Sequence, residues 1–235
     1  MELRVDDIAR MIDHSLLQPS HTTEELERGC REALDHAVAS VCILPHYLRR
    51  CAEILKGSAV KASTTIGFPH GGHAPAIKLA EVRQALADGG QELDMVVNVG
   101  RVLSGEWDAV RDEIRAVTVA AHDGGAKVKV IFETCLLKDE HKIRLCGICG
   151  EIGVDWVKTS TGFGAAGATA EDVVLLRKHS PPHVQVKASG GVRDLDQVLR
   201  FRALGATRIG TKATKEILAE CRRRQPETGN PQPAP

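Results

Sequence analysis

Residues 154–169 read VDWVKTSTGFGAAGAT, and residues 184–194 read VQVKASGGVRD. Each runs from apolar residues into a lysine, Lys158 or Lys187, and then at once into small polar residues and glycine. A short β-rich run bounded by glycine reads as a strand that stops abruptly. A lysine inside such a run is costly to bury unless it is paired or neutralised. Two such strands in tandem, each leading into a glycine turn, are hard to explain by packing alone. They place chemistry at strand ends.

The same rhythm extends along the chain. β-rich runs at 11–16, 40–44, 60–66, 92–98, 127–132, 154–159, 184–188 and 207–210 alternate with helical patterns. Several are near-continuous apolar runs, as in parallel strands covered on both faces. Helical periodicity occupies 23–37, 76–88, 107–121, 139–151, 170–178 and 194–204. In the first, Leu26, Cys30, Leu34 and Ala37 make an apolar stripe, with Thr22 and Glu25 as a capping box. In the last, Asp194 is placed to cap, Leu195, Val198 and Leu199 form the buried face, and Gly205 is the stop. Eight strand–helix units with right-handed crossovers predict an α/β fold, a single-domain (β/α)8 TIM barrel over residues 1–224. A doubly wound open sheet is the structural alternative. Residues 225–235, QPETGNPQPAP, read as a disordered Pro-rich tail.

Composition narrows the function classes. The chain has 235 residues, 43% hydrophobic, enough for one sizeable core, and its 31 basic residues balance 31 acidic ones. The basic residues are spread out except at Arg222–Arg224, so neither nucleic acid nor an anionic membrane is an expected partner. No apolar run approaches the roughly 20 residues of a membrane span, and MELRVDDIAR lacks the apolar stretch of a signal peptide. Seven cysteines without a compact framework agree with a reducing compartment. A cytoplasmic location is the expectation. Cys146 and Cys149 fall one turn apart in KIRLCGICGEIG and read as small apolar helix residues rather than a redox or zinc pair.

In a barrel the active site lies where strands end and loops begin. Lys158 then projects from the end of strand six and Lys187 from strand seven beside it, with Lys129 of KVKVIFET on strand five. Three ammonium groups facing one cavity repel each other, so one of them should lose its proton easily. A neutral lysine is a nucleophile able to form a Schiff base with a carbonyl. Asp94, in ELDMVVNVG, is a carboxylate within strand four that can relay protons. Burial should raise its pKa and nearby ammonium groups should lower it. Asp13, in MIDHSLL, is a second carboxylate on strand one.

Thr161, Gly162 and Gly164 after strand six, Gly190 and Gly191 after strand seven, and Gly210 with Thr211 after strand eight leave backbone N–H groups for an anion. Loops after strands seven and eight are the common phosphate site of barrels. Lys212 is expected to open the following helix and to add a charge there. His70 and His73, in FPHGGH, are separated by glycines and read as a turn, so no metal or cofactor is expected. Cys42 reads as a core thiol.

Taken together these blocks resemble the deoxyribose-phosphate aldolase family of class I aldolases, from about residue 8 to 218. IDHSLLQP, TTIGFPHGG, ELDMVVNVG, VKVIFET, DWVKTSTGFG, VKASGGVRD and GATRIGT follow in the family's order. The resemblance implies that Lys158 is the Schiff-base lysine, Lys187 the lysine that perturbs it and Asp94 the proton-relay partner. It implies phosphate contacts from the Gly162, Gly190 and Gly191 loops. The implied reaction is reversible cleavage of 2-deoxy-D-ribose 5-phosphate to acetaldehyde and D-glyceraldehyde 3-phosphate, without a metal. Small phosphorylated sugars and aldehydes are the expected partners, and a homodimer is the family's usual state.

Four departures from the family pattern stand out. Lys212 replaces a serine, Gln18 a lysine, and Leu44 a polar or aromatic residue, while the tail lacks a tyrosine that some members use in proton transfer. Two other readings compete: a related Schiff-base aldolase for another phosphorylated sugar, and a non-catalytic sugar-phosphate-binding barrel. The binder accounts for the glycines but gives no reason for the strand lysines and Asp94.

Overall fold

A computed structural model describes residues 4–225. Eight parallel strands follow one another around a closed barrel: β1 (Ile12–Leu16), β2 (Ser40–Ile43), β3 (Lys61–Ile66), β4 (Glu92–Val96), β5 (Lys127–Ile131), β6 (Trp156–Lys158), β7 (Gln185–Ser189) and β8 (Arg208–Thr211). β1 pairs with β2 on one side and β8 on the other. That closure excludes the open doubly wound sheet. Each of the eight segments read as a strand is one, with no end displaced by more than two residues.

Among the described residues ten α-helices surround the barrel: α1 (Val5–Ala9), α2 (Thr23–Asp35), α3 (Leu48–Leu55), α4 (Pro75–Ala87), α5 (Val99–Leu103), α6 (Trp107–Asp123), α7 (Asp139–Ile152), α8 (Ala170–His179), α9 (Leu195–Ala203) and α10 (Thr214–Arg224). The Thr22–Glu25 capping box at the start of α2 is present in both directions. Asp194 caps α9 by accepting the Gln197 N–H at 2.8 Å. Helices α1, α3 and α5, five to eight residues long, leave no helical periodicity in the sequence, although Asn98 caps α5 by accepting the Arg101 N–H. Two turns or fewer hold too few apolar positions for a 3.6-residue period to register. The first and last helices pack against each other, closing the outer ring as β1 and β8 close the inner one.

Alternation along each strand divides the interior in two. On β4, Leu93 and Met95 join the apolar layer between barrel and helices, with Val128, Val130, Val157 and Val186 from the next strands. Each fully buried side chain of this kind contributes roughly 1.5–3 kcal/mol. Glu92 and Asp94, on the other face of β4, point into the barrel, which is filled largely by charge. Cys146 and Cys149 are buried on α7 and all seven cysteines are free thiols. Arg223 and Arg224, at the exposed end of α10, pair with Glu220 and Asp196. The expected tail falls outside the described residues except for Gln225.

Candidate active site

Strand register sets the site. Parallel pairing places Asp94 beside Lys129, Lys158 beside Lys187, and Lys187 beside Arg208. All point into the barrel and are almost fully withdrawn from solvent: Lys158 is 3% exposed, Lys187 1% and Asp94 0%. Burial of this kind is tolerated only with charge compensation, and the compensation is explicit. Asp94 Oδ2 accepts from Lys158 Nζ and from Lys187 Nζ, each at 2.7 Å, while Oδ1 accepts from Lys129 Nζ at 2.8 Å. Lys187 also donates to Asp13 Oδ2 at 2.5 Å. Lys129 is paired a second time with Glu92, at 2.6 Å.

These contacts separate the three lysines. Burial, and secondarily the Lys187 ammonium, bring the Lys158 pKa below the ordinary lysine range against the pull of Asp94. Burial acts the same way on Lys187, but Asp13 and Asp94 outweigh it and the pKa is raised. For Lys129 burial is outweighed by Asp13, Asp94 and Glu92, so it too is held above its usual range. The contest at Asp94 is also decided: burial favours protonation, yet Lys129, Lys158 and Lys187 keep its pKa well below the ordinary carboxylate value. Lys158 is the lysine of the three that gives up its proton most readily.

A cavity of about 390 Å³ opens at the C-terminal ends of the strands. Lys158, Lys187, Asp13, Thr161, Gly162, Gly190, Gly191, Gly210, Thr211 and Lys212 all line it. Asp94 lies beneath, reaching the cavity only through the two lysines it holds. Lys129 does not line the cavity, contrary to the expectation that all three ammonium groups face it. It pairs in register with Trp156, two positions before Lys158, and its ammonium is closed in by carboxylates. The Asp13 carboxylate is likewise occupied, by Lys187, Arg208 and Ser40. The Thr211 hydroxyl donates to Val192 O at 2.7 Å and accepts from the Ala213 N–H, tying the β7 and β8 loops together. Lys212 does not open the next helix: α10 starts at Thr214 with Ala213 as its N-cap. Its side chain is exposed at the cavity rim, with no ion pair among the described residues. Gln18 is also in the lining and Leu44 is not.

Two glycines are needed for geometry. Gly190 has φ +85°, and a Cβ there would fall 2.9 Å from the Gly167 Cα. A Cβ on Gly210 would meet Ser189 Cβ at 2.8 Å and Lys187 Cε at 3.2 Å, so its absence makes room for the lysine stem.

Three residues of the site escape the sequence reading. Glu92 and Arg208 complete the ion network; their signals are modest, a carboxylate two positions before Asp94 and a lone arginine in the β8 run. Glu133 is buried with a left-handed φ of +56°. Its carboxylate accepts the Thr161 N–H at 3.2 Å and the Thr161 hydroxyl, and so fixes the start of the β6 loop. Nothing in the local sequence marks it. Cys42 is buried as expected but also lines the cavity, and burial raises its thiol pKa. His70 and His73 are exposed on the loop after β3. Among the described residues no group of three or more His, Cys, Asp or Glu is placed to hold a metal ion. No helix among them is long and apolar enough to cross a membrane.

A closed barrel with lysines rising into a glycine-rimmed mouth has the architecture of an aldolase. Residues 8–219 match the family model described as DeoC/LacD family aldolase. The chain belongs to that family and is an enzyme of the aldolase type. It is 60% identical to the deoxyribose-phosphate aldolase of Rhodopirellula baltica over 217 residues, covering 92% of this chain and 90% of that one. Identity to deoxyribose-phosphate aldolase 1 of Bacillus licheniformis is 50% over 211 residues, covering 90% and 94%. Among solved structures, the tetrameric deoxyribose phosphate aldolase of Aeropyrum pernix superposes with a TM-score of 0.87 at 33% identity, covering 93% and 92%.

Proposed function

We propose that the protein reversibly cleaves 2-deoxy-D-ribose 5-phosphate to acetaldehyde and D-glyceraldehyde 3-phosphate through a Schiff base on Lys158. The carrying observation is the position of Lys158: its Nζ reaches the cavity and is held by a single carboxylate oxygen that it shares with Lys187. Lys187 reaches the same cavity but is paired with two carboxylates, and Lys129 does not reach it. The names carried by close relatives support the substrate.

In this reading the neutral Lys158 amine donates one N–H to Asp94 and turns its lone pair to the cavity. It adds to the aldehyde carbon of the open-chain sugar, and loss of water leaves an iminium. Removal of the proton from the C3 hydroxyl lets the C2–C3 bond electrons flow into the iminium. D-glyceraldehyde 3-phosphate departs and an enamine remains on Lys158. Protonation at C2 and addition of the water lost earlier release acetaldehyde and restore the amine. Asp94, bonded to Lys158 and Lys187 together, is the relay for the protons exchanged as water leaves and returns. The phosphate is received by N–H groups of the Gly162, Gly190 and Gly191 turns and by the start of α10, whose first turn has no side-chain cap. Lys212 adds a charge at the rim.

The direct test is reduction with sodium borohydride in the presence of acetaldehyde, followed by peptide mapping. Ethylation at Lys158 is expected. Ethylation of another lysine with Lys158 unmodified would overturn the assignment, and a panel of phosphorylated sugars would identify any other preferred substrate.

A further inference from the structure

Lys158 belongs to a charge network that continues through the barrel to its opposite end. Arg208 donates to Asp13 Oδ1 at 2.5 Å and to both Glu92 oxygens, at 2.8 and 3.2 Å. Its guanidinium lies 4.7 Å from the centre of the Trp156 ring. Arg208 and Glu92 border a second cavity, with Arg10, Lys61, Lys127 and Trp156, and neither lines the cavity that Lys158 reaches. Lys129, Lys158, Lys187 and Arg208 thus share three carboxylates, Asp13, Glu92 and Asp94. One cation is in surplus.

We infer that Arg208, remote from the substrate cavity, is the positioning residue that makes the Lys158 proton the surplus one. The inference rests on Lys158 being the nucleophile. An uncompensated charge is costly to keep in a buried site, so the network is relieved when one cation becomes neutral. Arginine does not deprotonate in proteins. Lys129 has three carboxylates within 3.5 Å and Lys187 has two, whereas Lys158 has Asp94 alone. By engaging Asp13 and Glu92, Arg208 leaves Lys129 and Lys187 dependent on Asp94, and Lys158 is left without a charge of its own to pair with. The groups around Lys158 come from every side: Cys42 on β2, Asp94 on β4, Lys187 on β7, and behind them Asp13 on β1, Lys129 on β5, Glu92 on β4 and Arg208 on β8. Cys42 stays a neutral thiol and does not alter the count.

The experiment follows ethylation of Lys158 by acetaldehyde and cyanoborohydride against pH, read by mass spectrometry. Arg208→Gln leaves three cations with three carboxylates, so Lys158 keeps its proton longer and the acid limb moves up. A displacement on the order of one pH unit is expected, the low end of what a charge imposes on a buried neighbour. Glu92→Gln enlarges the surplus and moves the limb down. Arg208→Gln with Glu92→Gln removes one charge of each sign and returns the limb to the wild-type position. Should one single variant fail to fold, the other still gives the direction of displacement, and the double variant must reverse it. Structural damage alone would lower the yield of both single variants without displacing them in opposite directions. Limbs that stay put or move together, or a double variant displaced from wild type, overturn the inference. Wild-type protein that forms no adduct at Lys158 instead overturns the proposed nucleophile.

Discussion

Replacing Asp94 with asparagine tests the electrostatic account of the site. The carboxylate presents Oδ1 to one ammonium and Oδ2 to two, all within 2.8 Å. Asparagine keeps the shape but offers one carbonyl oxygen and one NH2 group, so at least one ammonium must face a donor. Removing one partner of a buried ion pair costs about 3–5 kcal/mol. Here Lys158 can shed its proton and relieve part of the strain, which puts the expected loss at the lower end, about 3 kcal/mol. For a domain of this size each kcal/mol moves the melting temperature by about 2–4 °C, so Tm should fall by about 6–12 °C. Equilibrium urea unfolding and calorimetry at pH 7 measure both quantities.

The pH dependence has a definite sign. The folded-state pKa of Asp94 is depressed, so its contribution to stability is complete above the unfolded carboxylate value, near 4, and is lost only as pH falls through the lower folded value. Wild type should therefore keep its advantage over Asp94→Asn from pH 7 down to pH 5. A loss below about 1 kcal/mol, or curves that converge by pH 6, would refute an ionised Asp94 bridging three lysines. Turnover should fall about 10²–10⁴-fold with the loss of the proton relay, while borohydride still traps acetaldehyde on Lys158.

Three further outcomes are expected. Lys212→Ser should raise KM for deoxyribose 5-phosphate several-fold and leave cleavage of unphosphorylated deoxyribose nearly untouched; equal effects on both would place Lys212 outside the phosphate site. Gly190→Ala puts a Cβ where φ is +85° and Gly167 is 2.9 Å away, so about 1–2 kcal/mol of backbone strain should appear in urea unfolding together with weaker phosphate binding. Unchanged stability would mean the turn relaxes freely. Glu133→Gln should weaken binding of the phosphorylated substrate without moving the pH limb of Lys158 trapping, since the two Thr161 donors meet separate carboxylate oxygens and the amide turns one of these into an NH2 donor; a displaced limb would tie Glu133 to the lysine network instead.

Much of this architecture could be read before any coordinates, and the exceptions have physical causes. Eight β-rich runs separated by helical stretches leave few ways to cover parallel strands on both faces, so the barrel was legible. Lys158 and Lys187 were legible because each stands at or near the end of its strand, followed by glycine. Lys129 carries the same lysine-in-strand signal and, like Lys187, lies two residues before the end of its strand, yet it pairs in register with Trp156, a level below Lys158 and Lys187. Whether a strand lysine reaches the mouth depends on register with neighbouring strands, and register is set by packing across the whole barrel. Arg208 and Glu92 lie 116 residues apart, and no local pattern announces that they meet. Lys212 was correctly placed at the rim but wrongly at a helix start, because helix boundaries depend on capping contacts rather than on composition.

The pairing of β1 with β8, and of α1 with α10, makes the protein a ring in which no strand is structurally first. Its topology is circular although its chain is not. A rearranged gene that links residue 225 to residue 4 through a short flexible bridge and opens the chain between Gly57 and Ser58 would preserve every strand pair. That opening lies in an exposed connection between α3 and β3, beside a glycine with no neighbouring atoms around its missing Cβ. It is at the end of the barrel away from the lysines, and exposed loop tips are where chains tolerate being cut. Such a permutant should fold to the same barrel and retain its chemistry, with β3 as the first strand synthesised.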